Sequence, residues 1–288
     1  MTASKNKYAV FILSHGRPDK IVTHSQLRRS GYTGPIYIIC DDEDKTLDRY
    51  KELYGESVIV FSKDSYSGKF DTMDNFDNKK VIVYARNACY DIARSLGLDY
   101  FFEYEDDYTS FLFRYIDGEF LRSLRISEMD LVFEMMIKFL ERSKAATIAF
   151  AQGGDFIGGY ANFIKQQIKR KAMNSFLFKV NKNPKDDVIF VGRMNDDVNT
   201  YLSLGKTGSL FFQTPQVQLT QMQTQSNAGG NTEIYKEFGT YSKSFYSIMI
   251  APSCCKIKMM GSSNKRIHHS INWSIAVPKI MDESYKKK

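Results

Sequence analysis

Leu98–Asp107, with the sequence LDYFFEYEDD, decides the fold of this chain, because it reads as an apolar strand that ends in three acids. A buried parallel strand is nearly continuously apolar, and ligands of open α/β sheets bind beyond the carboxyl ends of such strands. Adjacent carboxylates repel one another unless water or a cation offsets their charge, and oxygen ligands suit Mg²⁺ or Mn²⁺. Glu105, Asp106 and Asp107 therefore predict a metal site, with a solvated acidic turn as the alternative.

Two further predicted strands lead into polar residues. Tyr8–Leu13 reads as a buried strand, and the turn Ser14-His15-Gly16-Arg17-Pro18 follows it, with Pro18 preset for the first turn of a helix. Pro35–Cys40 reads as a second strand, which runs into Asp41 and Asp42. Val58–Phe61 predicts a third strand. The sequence therefore begins with βα units whose ends gather polar side chains.

A helix is predicted immediately before the decisive stretch. Its apolar residues recur at helical spacing and Gly97 is placed to end it; they are Ala85, Ala88, Cys89, Ile92, Ala93 and Leu96. Downstream, Thr147–Ala151 predicts another strand, which the glycines Gly153 and Gly154 follow. We also predict strands at Val188–Val191, Ser209–Phe212 and Phe245–Ala251.

Composition limits the class of protein. With 288 residues, of which 43% are hydrophobic, the chain can bury one sizeable core, and we expect a single globular unit. It has neither an apolar run of membrane-spanning length nor a signal-peptide segment near its start, so we expect a soluble, intracellular protein that contacts no membrane. The four cysteines show no zinc spacing, and we expect reduced thiols.

The charge balance favours an anionic partner. The net charge is +7, and nucleic acid and nucleotide phosphates both fit it. Basic residues cluster within Lys165–Lys171 and Lys256–Arg266, where a solvated surface is the alternative interpretation.

The elements around the acidic strand end resemble a GT-A glycosyltransferase. The Ser14–Pro18 turn, the acid-ended second strand, the Ala85-Arg86-Asn87 helix and the Glu105-Asp106-Asp107 end carry this resemblance. It implies an α/β fold: a Rossmann-like, GT-A central mixed sheet flanked by helices, in a single domain. Glu105-x-Asp107 is similar to the DxD motif, which binds a divalent metal that holds the diphosphate of a nucleotide sugar. Because Glu replaces the first Asp, more weight falls on Asp107.

The second half of the chain is similar to the TET-associated glycosyltransferases. The similar segments are Lys171–Phe176, Asn195–Tyr201, Gln223–Gly230 and Arg266–His269, with Trp273 and Val277–Lys279 after them. This group is encoded largely by bacteriophages and is associated with sugar transfer to 5-hydroxymethylated pyrimidines in DNA. The resemblance therefore implies double-stranded DNA as acceptor, with 5-hydroxymethylcytosine preferred over 5-hydroxymethyluracil, and a location in the host cytoplasm.

The resemblance covers about residues 8–280. It divides them into a nucleotide-sugar-binding half, 8–110, and an acceptor-binding half, 111–280. Residues 1–7 are expected to be a flexible N-terminus and residues 281–288 a basic tail.

The resemblance also implies a donor site and a metal site. The donor, UDP-glucose or UDP-N-acetylglucosamine by preference, is expected to contact Ser14, His15, Gly16, Arg17, Asp41, Asp42, Arg86, Asn87 and Asp106. Arg86 suits a phosphate or the acidic cluster, and a surface ion pair would also explain it. A divalent metal, Mn²⁺ or Mg²⁺, is expected at Glu105 and Asp107 with His268 or His269, although a core or DNA-facing histidine is an open alternative.

Catalytic and acceptor residues follow from the same resemblance. Asp196 or Asp197 is the candidate general base that takes the proton of the acceptor hydroxyl, and a structural helix cap is the alternative. A retaining enzyme would need no such base. The residues expected to contact the acceptor are Gly153, Gly154, Lys171, Asn174, Gln225, Asn227 and Trp273.

Three other functions stay open at this stage. A glycosyltransferase for a cell-surface glycan would share the donor and metal chemistry. A GT-A-like DNA-binding module without activity would fit the basic excess and the replacement at Glu105. A metal-dependent nuclease would also use clustered acids.

Overall fold

The computed structural model describes residues 6–163, 171–222, 239, 241–260, 266–276 and 283. These residues form a nine-stranded sheet with helices on both faces, and a separate two-stranded hairpin. The strands are β1 (Tyr8–Leu13), β2 (Ile36–Asp41), β3 (Val58–Phe61), β4 (Tyr100–Glu105), β5 (Tyr108–Asp117), β6 (Phe120–Arg125), β7 (Thr147–Gln152), β8 (Phe176–Lys179), β9 (Phe211–Gln221), β10 (Cys255–Met260) and β11 (Arg266–Ile271). The α-helices are α1 (Val22–Arg29), α2 (Leu47–Tyr54), α3 (Val83–Ser95), α4 (Met129–Ser143), α5 (Gly159–Phe163), α6 (Asp196–Lys206), α7 (Ser242–Ile250) and α8 (Trp273–Ala276).

The large sheet is mixed. Its strand order is β3-β2-β1-β4-β8-β7-β9-β5-β6. The first four of these strands are parallel, while β8 runs antiparallel to both β4 and β7. The hairpin β5–β6 closes the far edge of the sheet. The mixed α/β sheet flanked by helices that the sequence predicts is confirmed.

Alternation along β4 separates two apolar cores. Phe102 and Tyr104 pack with α4 on one face of the sheet, and Phe101 packs with α3 on the other. Because successive side chains of a strand point to opposite faces, Glu103 and Glu105 lie on the α3 face, where Arg86 is. The strand thus delivers two carboxylates to the helix that the sequence places before it.

The parallel register brings the polar strand ends together. Leu13 of β1 pairs with Ile39 of β2 and with Glu105 of β4. The next residue on β1, Ser14, therefore lies beside the ends of both neighbouring strands. This alignment gathers residues that are far apart in the sequence at one edge of the sheet.

Two predicted strands are wrong. Residues 188–191 form an irregular segment, and the main chain of Phe190 pairs with the side chain of Asn87 rather than with a strand. The predicted strand Phe245–Ala251 lies in and just beyond the helix α7, because a short apolar run does not distinguish a strand from a buried helix. The strand predicted at Ser209–Phe212 is β9, which continues to Gln221.

Some predictions fall outside the described residues. These include Gln225, Asn227, most of the predicted N-terminus and basic tail, and the basic residues at 165–170. Within the described part of the chain, no helix combines the length and the apolar character that a membrane crossing requires.

Candidate active site

A pocket opens where β1 and β2 end. The pocket is lined by Leu13, Ser14, His15, Arg17, Ile39, Asp41, Phe61, Lys63, Lys80, Val81, Ile82 and Ala85. Four of the predicted donor residues, Ser14, His15, Arg17 and Asp41, therefore line one pocket, together with two lysines that sequence reasoning missed.

The wall of the pocket contains a chain of charged groups. The Asp41 carboxylate lies 2.6 Å from His15 Nδ1 and 2.8 Å from the ammonium group of Lys63, whose side chain is only 3% exposed. Burial raises the pKa of Asp41, but the hydrogen bonds from His15 and Lys63 outweigh it and hold that pKa below its usual value. Asp41 is thus an ionised group whose two oxygens are already engaged. The predicted neighbour Asp42 is exposed and is not among the residues that line the pocket, and its carboxylate accepts from the Lys63 amide.

The turn after β1 connects the pocket to the end of β4. Ser14 donates to Asp106 at 2.6 Å, and an Arg17 terminal nitrogen lies 3.1 Å from the same carboxylate. The Nε atom of Arg17 is buried without a hydrogen-bond partner among the described residues. Gly16 has a φ of +69°, a conformation that favours glycine, and its amide donates to Asp44 at 2.6 Å.

Helix α1 fixes the acidic turn itself. The Thr23 amide donates to the carbonyl of Asp106 at 3.1 Å, and its hydroxyl donates to the carbonyl of Glu105 at 2.6 Å. The Tyr108 amide in turn donates to the Thr23 hydroxyl at 2.9 Å. The main chain between β4 and β5 is therefore held in place by one buried threonine.

Arg86 is the centre of the acidic site. It is 1% exposed, and its three guanidinium nitrogens lie 2.6 Å from Glu103, 2.8 Å from Glu105 and 2.6 Å from Asp196. The guanidinium carbon also lies 5.0 Å from the ring centre of Phe176. Arg86 is thus occupied by carboxylates, and we assign to it the ordering of the acids rather than direct phosphate binding.

Several buried carboxyl groups surround the single positive charge of Arg86, and their pKa values lie above the usual values. We call Glu105, Asp107, Asp196 and Asp197 the acid cluster. Burial, followed by the neighbouring acids of the cluster, raises the pKa of Glu105 to about 8 despite Arg86. Burial and the adjacent Asp106 raise the pKa of Asp107 to about 6. Asp107 Oδ1 is buried, and the described residues give it no hydrogen-bond partner.

Asp196 and Asp197 begin helix α6. The preceding residue, Asn195, has a φ of +54° and is anchored by a hydrogen bond from its amide group to the carbonyl of Lys243 at 2.9 Å. Asp197 accepts from the Val198 amide at 2.7 Å and from the amide of Asn174. Burial raises the pKa of both acids, and Arg86 opposes the rise. A left-handed residue directly before two buried acids is an arrangement common at functional sites.

The two histidines lie on the hairpin β10–β11. His269 Nδ1 lies 3.3 Å from the side-chain nitrogen of Asn195, and the rings of His268 and His269 lie 4.4 Å apart between their centres. Burial and His268 lower the pKa of His269 to about 4, so its imidazole is neutral at pH 7. His268 Nδ1 lies 2.7 Å from the carbonyl of His269. In the described ranges, no three His, Cys, Asp or Glu side chains converge to hold a metal.

The remaining predicted residues occupy three environments. Asn87 hydrogen bonds to both main-chain groups of Phe190, which braces the 188–191 segment. Gly153 and Gly154 are exposed in a short 3₁₀ helix after β7, and Lys171 lies 2.8 Å from Asp155 of the same helix. Trp273 stacks on Tyr201 of α6, with 5.6 Å between ring centres.

Asn174 joins several parts of the site. It has a φ of +60°, its carbonyl accepts from the Tyr108 hydroxyl, and its side-chain amide donates to Gln221 at 2.7 Å. With its own amide directed at Asp197, it links β5, β9 and α6. Asn174 thus lies directly beside the acid cluster.

Glu103 and Lys63 are the main residues that sequence reasoning missed. Glu103 precedes Glu105 by two positions, so strand alternation alone could have placed both on the face of Arg86. Lys63 lies just beyond the strand pair Asp41 and Phe61, and only the register of β2 against β3 brings it to Asp41. No local signal predicts that contact.

The Glu105→Gln substitution is expected to stabilise the protein at pH 8. A carboxyl whose pKa rises from 4.5 to about 8 on folding stabilises the fold only while protonated, so its contribution is lost as pH rises across that interval. Removing the ionisable group should raise Tm by roughly 2 to 6 °C at pH 8 and change it little at pH 4.5. Thermal unfolding measured at both pH values checks this result.

The exposed carboxyl of Glu56 provides the control for that substitution. Glu56→Gln should leave Tm unchanged at both pH values. An equal Tm for the wild type and Glu105→Gln at pH 8 would contradict the proposed excess of buried negative charge.

At one edge of the mixed α/β sheet, Arg17 joins a pocket lined by two lysines to Asp106, which is adjacent to Asp107 of the acid cluster. The family model of the TET-associated glycosyltransferases matches residues 8–230, and the chain belongs to this family. The protein is therefore a glycosyltransferase, as the sequence predicts. No curated protein matches the chain in sequence.

Several solved structures of nucleotide-sugar enzymes have a distantly similar fold. Glucosyl-3-phosphoglycerate synthase from Mycobacterium tuberculosis, in complex with Mn²⁺ and UDP-glucose, is 6% identical with a TM-score of 0.48, over 93% of this chain and 87% of that one. Mannosyltransferase PcManGT from Pyrobaculum calidifontis, with GDP-Man and Mn²⁺, is 10% identical with a TM-score of 0.43, over 87% and 74%. TarS 1–349 from S. aureus, with UDP, is 10% identical with a TM-score of 0.43, over 86% and 66%.

Proposed function

We propose that this glycosyltransferase moves a sugar from a nucleotide diphosphate donor, preferably UDP-glucose or UDP-N-acetylglucosamine, to the hydroxymethyl group of a 5-hydroxymethylpyrimidine in double-stranded DNA. The proposal depends above all on family membership over residues 8–230, because the name of the family associates its glycosyl transfer with TET. The hydroxymethylated base is the acceptor that this link suggests, with 5-hydroxymethylcytosine preferred.

The donor is proposed to bind in the pocket beyond β1 and β2. Lys63 and Lys80 bring positive charge to its lining, and Val81 and Ile82 bring apolar surface. Such a combination suits a nucleoside that carries phosphates. Arg17 lies between this pocket and Asp106, and its Nε, to which the described residues give no partner, could donate a hydrogen bond to a diphosphate oxygen.

The acid cluster fits a divalent cation. Asp107 has a buried oxygen to which the described residues give no hydrogen-bond partner, and burial with the neighbouring acids raises the pKa of Glu105. Mg²⁺ and similar ions are held by one or two carboxylates, with substrate phosphates and water completing the shell, so a protein cage of three ligands is not required. Glu105 and Asp107 would hold the metal, which supplies charge neutralisation to the departing diphosphate.

The acceptor hydroxyl needs a group that takes its proton if the enzyme inverts configuration. Asp196 is paired with Arg86, whereas Asp197 is held by two main-chain amides and lies next to Asn174. Burial raises the pKa of each carboxyl group. A general base is most effective when its pKa lies near the working pH, so this rise favours either residue as the base. The surfaces of Gly153, Lys171, Asn174 and Trp273 are the proposed acceptor side.

The decisive experiment is a transfer assay with matched duplexes. One DNA sequence is prepared with cytosine, 5-hydroxymethylcytosine or 5-hydroxymethyluracil at a single position, and each duplex is incubated with the protein, Mn²⁺ and each UDP-sugar. Mass spectrometry of the digested nucleosides should detect one added sugar on a hydroxymethylated base only. EDTA should abolish the product.

Other results would select another function. Transfer to a glycan but to no modified DNA would reject the proposed acceptor while keeping the donor chemistry. DNA binding without binding or hydrolysis of any nucleotide sugar would favour the inactive module. Nicking of plasmid DNA in the presence of Mg²⁺ would favour the nuclease.

A further inference from the structure

We propose that Arg193 is a positioning residue, which fixes the turn carrying Asp196 and Asp197 relative to the donor pocket through an ion pair with Asp74. This inference rests on the proposed function of those acids and of the pocket. Arg193 is 2% exposed and lies two positions before Asn195 in the sequence. Neither Arg193 nor Asp74 is among the residues that the sequence suggested for the site.

The side chain of Arg193 binds Asp74 and Phe76, in the loop between β3 and α3. Its Nε lies 2.8 Å and 3.0 Å from the two carboxylate oxygens of Asp74, and its Nη2 donates to the carbonyl of Phe76 at 2.5 Å. The Tyr246 hydroxyl of α7 donates to the same Asp74 carboxylate at 2.5 Å. A planar guanidinium with several directed bonds fixes orientation as well as distance.

Main-chain contacts join the same two segments. The Gly192 amide donates to the carbonyl of Asp71 at 2.8 Å, and the Arg193 amide donates to the carbonyl of Thr72 at 2.9 Å. Gly192 has a φ of +87°, and a Cβ there would lie 2.3 Å from the side-chain nitrogen of Asn199. The loop between β3 and α3, the segment Gly192–Arg193 and helix α6 are thus in direct contact, and a side chain at Gly192 would not fit between them.

The loop between β3 and α3 reaches the donor pocket at both of its ends. Lys63 lies at its start and Lys80 and Val81 at its end, and all three line the pocket. On the other side of the ion pair, the main chain continues from Arg193 through Met194 to Asn195 and the acids. The hydrogen bonds of Gly192 and Arg193 therefore connect the walls of the pocket to the turn Asn195–Asp197. Arg193 acts through these neighbours rather than on a substrate.

The test replaces Arg193 by lysine, which keeps the charge and loses the fork of hydrogen bonds. Arg193→Lys is expected to lower kcat about 30-fold with a donor KM within about threefold of wild type, because a misplacement of about 1 Å can cost about a hundredfold in rate. Arg94→Lys is the matched control, since Arg94 also pairs with a buried carboxylate, Asp187, at 2.8 Å. The control should stay within twofold of wild type.

Hydrogen exchange supplies a readout that does not depend on sugar transfer. UDP with Mn²⁺ is expected to slow amide exchange at residues 195–199 in the wild type and in Arg94→Lys, but not in Arg193→Lys. A kcat of Arg193→Lys within threefold of wild type would overturn the proposal. So would a fall in kcat that only follows the folded fraction, or equal protection of residues 195–199 in all three proteins.

Failure of the proposed function has a different signature. In that case the wild type transfers no sugar to DNA, while UDP with Mn²⁺ still protects residues 195–199 in the wild type and not in Arg193→Lys. That result would reject the acceptor and support the positioning role. Absence of protection in the wild type at saturating UDP would overturn the positioning role.

Discussion

Asp107→Asn is expected to reduce the rate of sugar transfer about a thousandfold at saturating donor and metal. The substitution keeps the shape of the side chain and removes the charge of the carboxylate whose Oδ1 is buried without a partner. Loss of one preorganised group that stabilises developing charge costs about 10² to 10³ in rate, and a metal ligand serves that function for the leaving diphosphate. Initial rates across a Mn²⁺ titration measure the effect.

Asp42→Asn is the matched control for that substitution. Asp42 also follows the end of a parallel strand, but it is exposed and is not among the residues that line the pocket. Its replacement should change the rate less than threefold. If Asp107→Asn retains more than a tenth of the wild-type rate at saturating Mn²⁺, Asp107 does not hold the catalytic metal.

Arg86→Met is expected to lower the free energy of unfolding by about 3 to 5 kcal/mol at pH 8. Methionine fills part of the volume, but it leaves the carboxylates of Glu103, Glu105 and Asp196 buried without their cation. That loss is a large part of the 5 to 15 kcal/mol that typically stabilises a folded domain. Urea unfolding at constant pH gives the difference.

Two comparisons separate this charge effect from lost packing. The Arg86→Met deficit should shrink at pH 5, because the orphaned carboxyls, whose pKa values burial has already raised, become protonated. Arg94→Met, in which the replaced side chain is 25% exposed, should cost much less. A deficit of equal size at pH 5 and pH 8 would assign the effect to packing.

The parts of the fold that sequence reasoning predicted are those in which local pattern and burial agree. β1 and β4 are apolar runs that end in polar residues, and the stripe from Ala85 to Ala93 buries one side of α3. The same approach missed most of β9, because Gln213 and Gln218 are buried there with hydrogen bonds to Phe150 and Arg114. Buried polar residues with partners do not resemble a strand in sequence.

The candidate site was likewise predicted only where a local sequence pattern marks its residues. The acids at the strand ends were visible because they interrupt apolar runs, whereas the pairing of Arg86 with Glu103 depends on how α3 packs across β4. The contacts of Asp74 with Arg193 and Tyr246 join residues 119 and 172 positions apart, and no spacing rule reaches that far. Sequence thus indicated the chemistry of the site, and tertiary packing determined which residues order it.

All of the residues that line the pocket at the ends of β1 and β2 come from Leu13 to Ala85. Lys171, Asn174 and Trp273, proposed for the acceptor, come from much later in the chain. Under the proposed assignment of donor and acceptor, substitutions after β7 would change the acceptor side and keep the residues that line the pocket. Directed evolution toward new modified bases should begin with that later segment and keep the first 85 residues constant.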